Sequence, residues 1–278
     1  MVVQDLLDRF KVLSHQETFY QCKDYLKLRK DATLKQSVDE TCRYTMANWC
    51  YQVLDYCNAS EETASVAMSY VDRFLSTKQG SFVLNDKKWF QLLVMSSLQL
   101  AIKVHESKKL EIDILSELSR GMFSVEDINL MEKALLSALE WRLCSATSYV
   151  FLDFFLDILP LSMSNSTKLS LRKLSKKQIY LSLPRYSFAL KKSSTIAYAS
   201  LLNSMDECRC SLEDTKVLRS HAVRLGFKIS DEMCLNLRKD LYALLNPQSS
   251  DFFNNSVPCS ASRKDCTPAP IRVRQACR

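Results

Sequence analysis

Residues 65–79 read SVAMSYVDRFLSTKQ. Ala64, Ala67, Met68, Val71, Phe74 and Leu75 recur through this stretch at the spacing of a helix that buries one face. Asp72 falls at the margin of that face, one turn beyond Met68, and Arg73 is expected to point away from it. A carboxylate at the edge of a core is unfavourable unless a cation meets it. The period makes this stretch helical, and the misplaced aspartate asks for a partner elsewhere in the chain. Arg43, just ahead of Met46 and Trp49 in another helical segment, is a candidate.

Working outward, the same period recurs almost throughout. A short helix is expected over about His15–Leu28. Five segments follow, near Asp39–Cys57, Glu61–Thr77, Asp86–Lys103, Glu111–Ser119 and Val125–Arg142. Ser124 and Asp127 open the last of these in the manner of a capping box. The third, DKKWFQLLVMSSLQLAIK, is apolar nearly all round and is expected at the centre of its domain. After CSATSY a second set begins: Tyr149–Leu159, Lys168–Leu183, Tyr186–Met205, Leu212–Leu225 and Asp231–Leu245. The chain therefore reads as all-α, with two tandem five-helix domains. The expected boundaries are an N-terminal arm and helix over 1–38, a first domain over 39–143, a second over 144–245 and a polar, aperiodic tail over 246–278, expected to be disordered. The second domain rests on helix count more than on matching residues.

Composition narrows the function classes. Three Gly and six Pro are too few for a β-protein built on tight turns. No apolar run is long enough for a transmembrane helix, and the first ten residues carry charges where a signal peptide needs an apolar core. The protein is expected inside the cell, in the nucleus, the cytoplasm or both. The 11 cysteines are scattered; Cys42, Cys50 and Cys57 lie in a helical pattern, and Cys208 and Cys210 form a lone C-x-C. With no C-x-x-C pair, a structural zinc site is not expected, and the thiols read as reduced. The net charge of +7 is uneven: residues 168–192 hold eight basic side chains and no acid. A local basic patch is indicated, with no global affinity for nucleic acid. On their helix, Lys168, Arg172, Lys173, Lys176 and Lys177 occupy one arc opposite Leu171, Leu174 and Leu181. That arc is read first as a solvated face and second as a contact for an acidic partner or for nucleic acid.

No catalytic constellation stands out. His15, His105 and His221 have no nucleophile signature beside them, and there is no glycine-rich phosphate loop or H-E-x-x-H. No cofactor, metal or catalytic residue is expected, so function is sought in charges that break the helical pattern. Besides Asp72 there are two. Lys103 closes its helix on the face of Trp89, Leu92, Leu93, Ser96 and Leu100, and Glu132 sits within the stripe of Ile128, Met131, Leu135 and Leu139. Patterning alone leaves both readings open: internal ion pairs, or groups presented to a partner.

YVDRFLS resembles the second-helix signature of the cyclin box. That box is marked by an Arg, an Asp, a Leu, a Lys and a Glu spread over five helices. Here they correspond to Arg43 in CRYTMANW, Asp72 in YVDRFLS, Leu92 in FQLLVM, Lys103 in LAIKVHE and Glu132 in LMEKALLSALEWRL. The resemblance covers about residues 39–143, with a weaker likeness to the carboxyl-terminal cyclin domain over about 147–245. It implies two cyclin-box domains, and a buried structural ion pair between Arg43 and Asp72.

The resemblance also implies a non-enzymatic subunit that binds and activates a cyclin-dependent serine/threonine kinase in the cell cycle. Lys103 and Glu132 would bond the kinase backbone ahead of its regulatory helix, with Val104, Glu106, Leu136 and Trp141 at the same interface. A substrate-docking groove would correspond to Cys42, Met46, Trp49, Gln52, Phe90 and Gln91. Gln52 replaces a family acid and Cys42 a larger methionine, so a weakened groove is expected; the competing reading places Trp49 and Phe90 in the core. The runner-up function is a cyclin-fold transcription factor that binds DNA or the transcription machinery. The absence of a metal-ligand pattern before residue 39 counts against it.

Overall fold

The computed structural model describes residues 3–27, 37–107 and 110–245, and every regular element among them is helical. They form two compact units, one of residues 22–144 with 184–186 and the other of residues 3–21, 145–183 and 187–245.

The first unit contains α2 (Glu40–Tyr56), α3 (Glu61–Leu75), α4 (Lys87–His105), α5 (Ile112–Leu118) and α6 (Val125–Ala138), with a 3-10 turn at Ser81–Asn85. Short polar side chains start these helices by accepting otherwise orphaned backbone N–H groups. Asp39 caps α2, Ser60 caps α3 and Asp86 caps α4. Ser124 and Asp127 form the expected reciprocal capping box on α6. Every residue of α4 from Phe90 to Ile102 is buried, and α2, α3 and α6 pack around it. This is the central helix expected from its all-round apolar sequence.

The second unit contains α1 (Val3–Tyr20), α7 (Ser148–Asp157), α8 (Asn165–Ser182), α10 (Ser193–Glu207), α11 (Leu212–Arg224) and α12 (Asp231–Leu245), with residues 187–189 of the single turn α9 (Tyr186–Ala189) leading into α10. It repeats the plan of the first. Here α10 is the surrounded helix, buried continuously from Ser194 to Met205 and packed by α1, α7, α8 and α12. Phe10, Phe154, Phe155, Tyr198 and Phe227 stack edge-on or tilted in its core. Small polar residues let α8 and α10 approach closely. Ser175 and Ser204 meet at 2.9 Å, and the Gln178 amide donates to the Ser200 carbonyl.

Four expectations are corrected. The N-terminal helix spans Val3–Tyr20, not His15–Leu28, because its apolar face runs through Leu6, Leu7, Phe10 and Leu13 onto the core of the second unit. The segment Tyr186–Met205 is two helices. The chain breaks before Ser193, whose neighbour Ser194 gives both its N–H and its hydroxyl to the buried carboxylate of Glu17, at 2.6 and 2.8 Å. Arg73 is buried at 9% exposure instead of pointing outward. Finally, α6 stops at Ala138 and does not run on to Arg142, since Glu140 and Trp141 take left-handed φ values of 51° and 60°. The expected tail, 246–278, lies outside the described residues.

Candidate functional site

Two charged pairs join helices within the first unit. In one, Arg43 of α2 donates to Asp72 of α3 from Nε at 3.0 Å and Nη2 at 2.8 Å. Their side chains are 2% and 9% exposed. The hydroxyl of Tyr25 donates to the same carboxylate at 2.8 Å. Burial works against the Arg43 charge, but the adjacent carboxylate and its hydrogen bonds outweigh that, so the guanidinium is held above its ordinary pKa. Burial, followed by the Asp72 charge, raises the Tyr25 phenol well above its ordinary value and pushes the Cys22 thiol up to about 12. Tyr25 thus stays a neutral donor. It also packs edge-on against Tyr186, which bonds Asp24 and the Leu26 N–H. The cluster fixes the crossing of α2 and α3 and straps residues 23–27 onto it.

In the other pair, Lys103 at the end of α4 reaches Glu132 of α6, with Nζ 2.9 and 2.8 Å from the two carboxylate oxygens. These side chains are 37% and 15% exposed. The apolar stripe beneath, Ile128, Met131, Leu135 and Leu139, is buried and orients Glu132 toward the surface. An ammonium has three donors and a carboxylate about four acceptor sites. The pair therefore holds both groups in place while leaving a donor and several lone pairs unused. Val104 beside it is 45% exposed, and Leu136, one turn beyond Glu132, is half-buried.

Trp141 is 72% exposed. Its N–H bonds back to the Leu136 carbonyl at 3.0 Å through the left-handed turn at Glu140 and Trp141. A bulky residue at positive φ is an outlier, with a strain of about 1–3 kcal/mol. The turn leaves the indole exposed beyond the end of the helix that bears Glu132 and Leu136. The sequence shows no Gly or Asn that would flag such a turn.

Glu106 differs from its expected role. Its Oε1 accepts from the Ser60 N–H at 2.9 Å and from the Thr63 hydroxyl, so it caps the start of α3 from the end of α4. It anchors the turn that follows Lys103 and is not a free contact group.

The expected groove is also corrected. Cys42, Met46, Trp49, Phe90 and Gln91 are 1–4% exposed, and only Gln52 reaches the surface. The five buried side chains fill the unit's core, Cys42, Met46 and Trp49 from α2 and Phe90 and Gln91 from the surrounded α4 itself. Trp49 Nε1 is buried without a hydrogen-bond partner among the described residues. No open apolar trough is formed by these six positions.

No group of three or more His, Cys, Asp or Glu able to hold a metal occurs among the described residues. No helix there is long and apolar enough to cross a membrane.

Comparison with known proteins bears on both units. Residues 8–144 match the family model "Cyclin, N-terminal domain". The chain is 35% identical over 127 residues to Cyclin-D2-1 of Oryza sativa subsp. japonica, covering 45% of this chain and 40% of the relative. It is 26% identical over 275 residues to G1/S-specific cyclin-D1 of Danio rerio, covering 94% of this chain and 88% of the relative. The fold resembles a viral cyclin from herpesvirus saimiri with a TM-score of 0.62 at 20% identity, over 84% of this chain and 96% of that one. The chain spans half or less of the length of the first curated relatives it matches.

Proposed function

The chain belongs to the cyclin family, and from that premise we propose that it is a non-catalytic subunit that binds and activates a cyclin-dependent serine/threonine kinase in the cell cycle. The observation that carries this reading is the Lys103–Glu132 pair, held together at the surface by two bonds of 2.8–2.9 Å. Its spare donor and acceptors suit one strand-to-helix junction of a partner backbone, since ammonium donates to carbonyls and carboxylate accepts from N–H groups. Docking there excludes water and strengthens both interactions. Trp141 supplies the aromatic anchor, with Leu136 and Val104 as apolar contacts around the pair. Pressing on the kinase's regulatory helix would bring its glutamate to the ATP-positioning lysine, an ion pair that an active kinase requires.

The complex is expected in the nucleus, the cytoplasm or both. Substrate docking through Met46, Trp49 and Phe90 is left out of this proposal, because those side chains are buried. The DNA-binding alternative has no observation in its favour.

The test is co-purification with a kinase followed by histone phosphorylation. Lys103→Glu and Glu132→Lys should each weaken kinase binding about thirtyfold or more while leaving helicity intact. Normal activation by both variants would overturn the proposed interface.

A further inference from the structure

Between Asp157 and Asp206 the chain carries no acidic residue at all, yet it holds eight lysines and arginines. Five of them lie on α8. Two of these five are engaged within their own unit: Arg172 pairs with Asp153 at 3.0 Å, and Lys176 lies over the Tyr149 ring. Lys168, Lys173 and Lys177 have no ion pair among the described residues. Lys173 and Lys177 are exposed and Lys168 is half-exposed. The opposite face of α8, with Leu171, Ser175, Gln178, Ile179 and Ser182, is buried. Within the cationic arc stands Leu169, 68% exposed. Residues three and four apart are neighbours on a helix surface, so Leu169 is flanked by Arg172 and Lys173.

Leu169 gives this otherwise cationic face one apolar position. A nucleic acid backbone would use the cations but has no use for the leucine, since phosphate contacts are electrostatic. We propose that the outer face of α8 docks an acidic amphipathic peptide segment of a partner protein, its carboxylates meeting Lys173 and Lys177 and one apolar side chain covering Leu169. Leu169 to Lys177 span about 12 Å along the helix, the length of about two turns of a bound peptide helix. Charge complementarity selects the partner and speeds encounter, and the leucine adds the non-electrostatic contact.

The experiment is fluorescence anisotropy on the full chain. The probes are a synthetic peptide of roughly sixteen residues with three glutamates at helical spacing around one leucine, the same peptide with lysines, and a short DNA duplex. The acidic peptide should bind, and raising the salt should weaken it. Binding should fall about fivefold in the double variant K173E/K177E, the sum expected of two exposed ion pairs. It should also fall in the milder K173A/K177A, and about threefold or more in Leu169→Ser. Kinase activation by these variants should be unchanged, which separates this face from Lys103 and Glu132. No binding of the acidic peptide, equal binding by the charge variants, or tighter binding of the duplex than of the peptide would overturn the proposal.

Discussion

The Arg43–Asp72 and Lys103–Glu132 pairs have the same chemistry, similar bond lengths and the same task of joining two helices within one unit. They differ in exposure. The first is enclosed by α2, α3 and the strap at Tyr25, and the second opens to solvent where the end of α4 meets the middle of α6. Removing one member of an enclosed pair leaves a charge with neither water nor partner, whereas an open pair is rescued by water. Enclosure thus turns an ion pair into a rivet, and exposure leaves it available as a handle. A sequence shows that charges interrupt a helical stripe, and the packing decides which kind each one becomes.

The contrast can be broken most severely at Asp72. Asp72→Asn should destabilise the chain by about 3–5 kcal/mol, read as a large fall in melting temperature or denaturant midpoint. An unchanged midpoint would remove the rivet. A smaller loss is expected from Tyr25→Phe, which deletes one hydrogen bond to a carboxylate and keeps the ring. About 1.5–3 kcal/mol should disappear in equilibrium unfolding, with new proteolytic sensitivity around residues 23–27. At the handle, Lys103→Glu should change stability by no more than about 1 kcal/mol by the same unfolding assay, while the proposed interface requires it to weaken kinase binding.

The smallest effect sharpens the contrast with a second buried carboxylate, one that has no cation bonded to it. Glu17 receives the Ser194 N–H and hydroxyl, and burial raises its pKa above the ordinary 4.5 despite those bonds. Its folded-state pKa lies above the unfolded one, so the folded chain holds this proton more tightly. The associated stability is full below pH 4.5 and is lost as pH rises through the elevated value. Glu17→Gln keeps an acceptor for the Ser194 N–H and removes the titration. Its stability should therefore be flatter across that window, as measured by unfolding at a series of pH values. A wild-type slope retained in the variant would exclude Glu17 as its source.

Much of the first unit was legible because it is organised around one helix apolar nearly all round, and such a helix announces itself in sequence. DKKWFQLLVMSSLQLAIK became the centre of the first unit, and the turn residues Asp39, Asp86 and Ser124 marked helix starts nearby. What escaped detection depends on distant partners. The break before Ser193 is completed by Glu17, and the end of the first helix is followed by a strap whose Tyr25 is claimed by Asp72. The Arg43–Asp72 partnership could be suggested because only one cation lay near the right stripe. Glu106 could not be placed, since its partners Ser60 and Thr63 are set by how α4 ends against the start of α3. The groove positions misled for a related reason: Trp49 and Phe90 suit a core and a trough equally well in sequence, and only packing separates the two.

The most direct test of the distinction between rivet and handle is the double charge swap Lys103→Glu with Glu132→Lys, assayed for kinase activation beside unfolding stability. The swapped side chains can reform their mutual bridge, so a purely internal pair would be restored. A pair that clamps a partner backbone would not, because donor and acceptor would face the wrong groups. The expected result is wild-type stability with kinase activation still lost. Recovery of activation in the double variant, after its loss in each single variant, would show that the bridge acts only within this chain and would contradict its role as the docking handle.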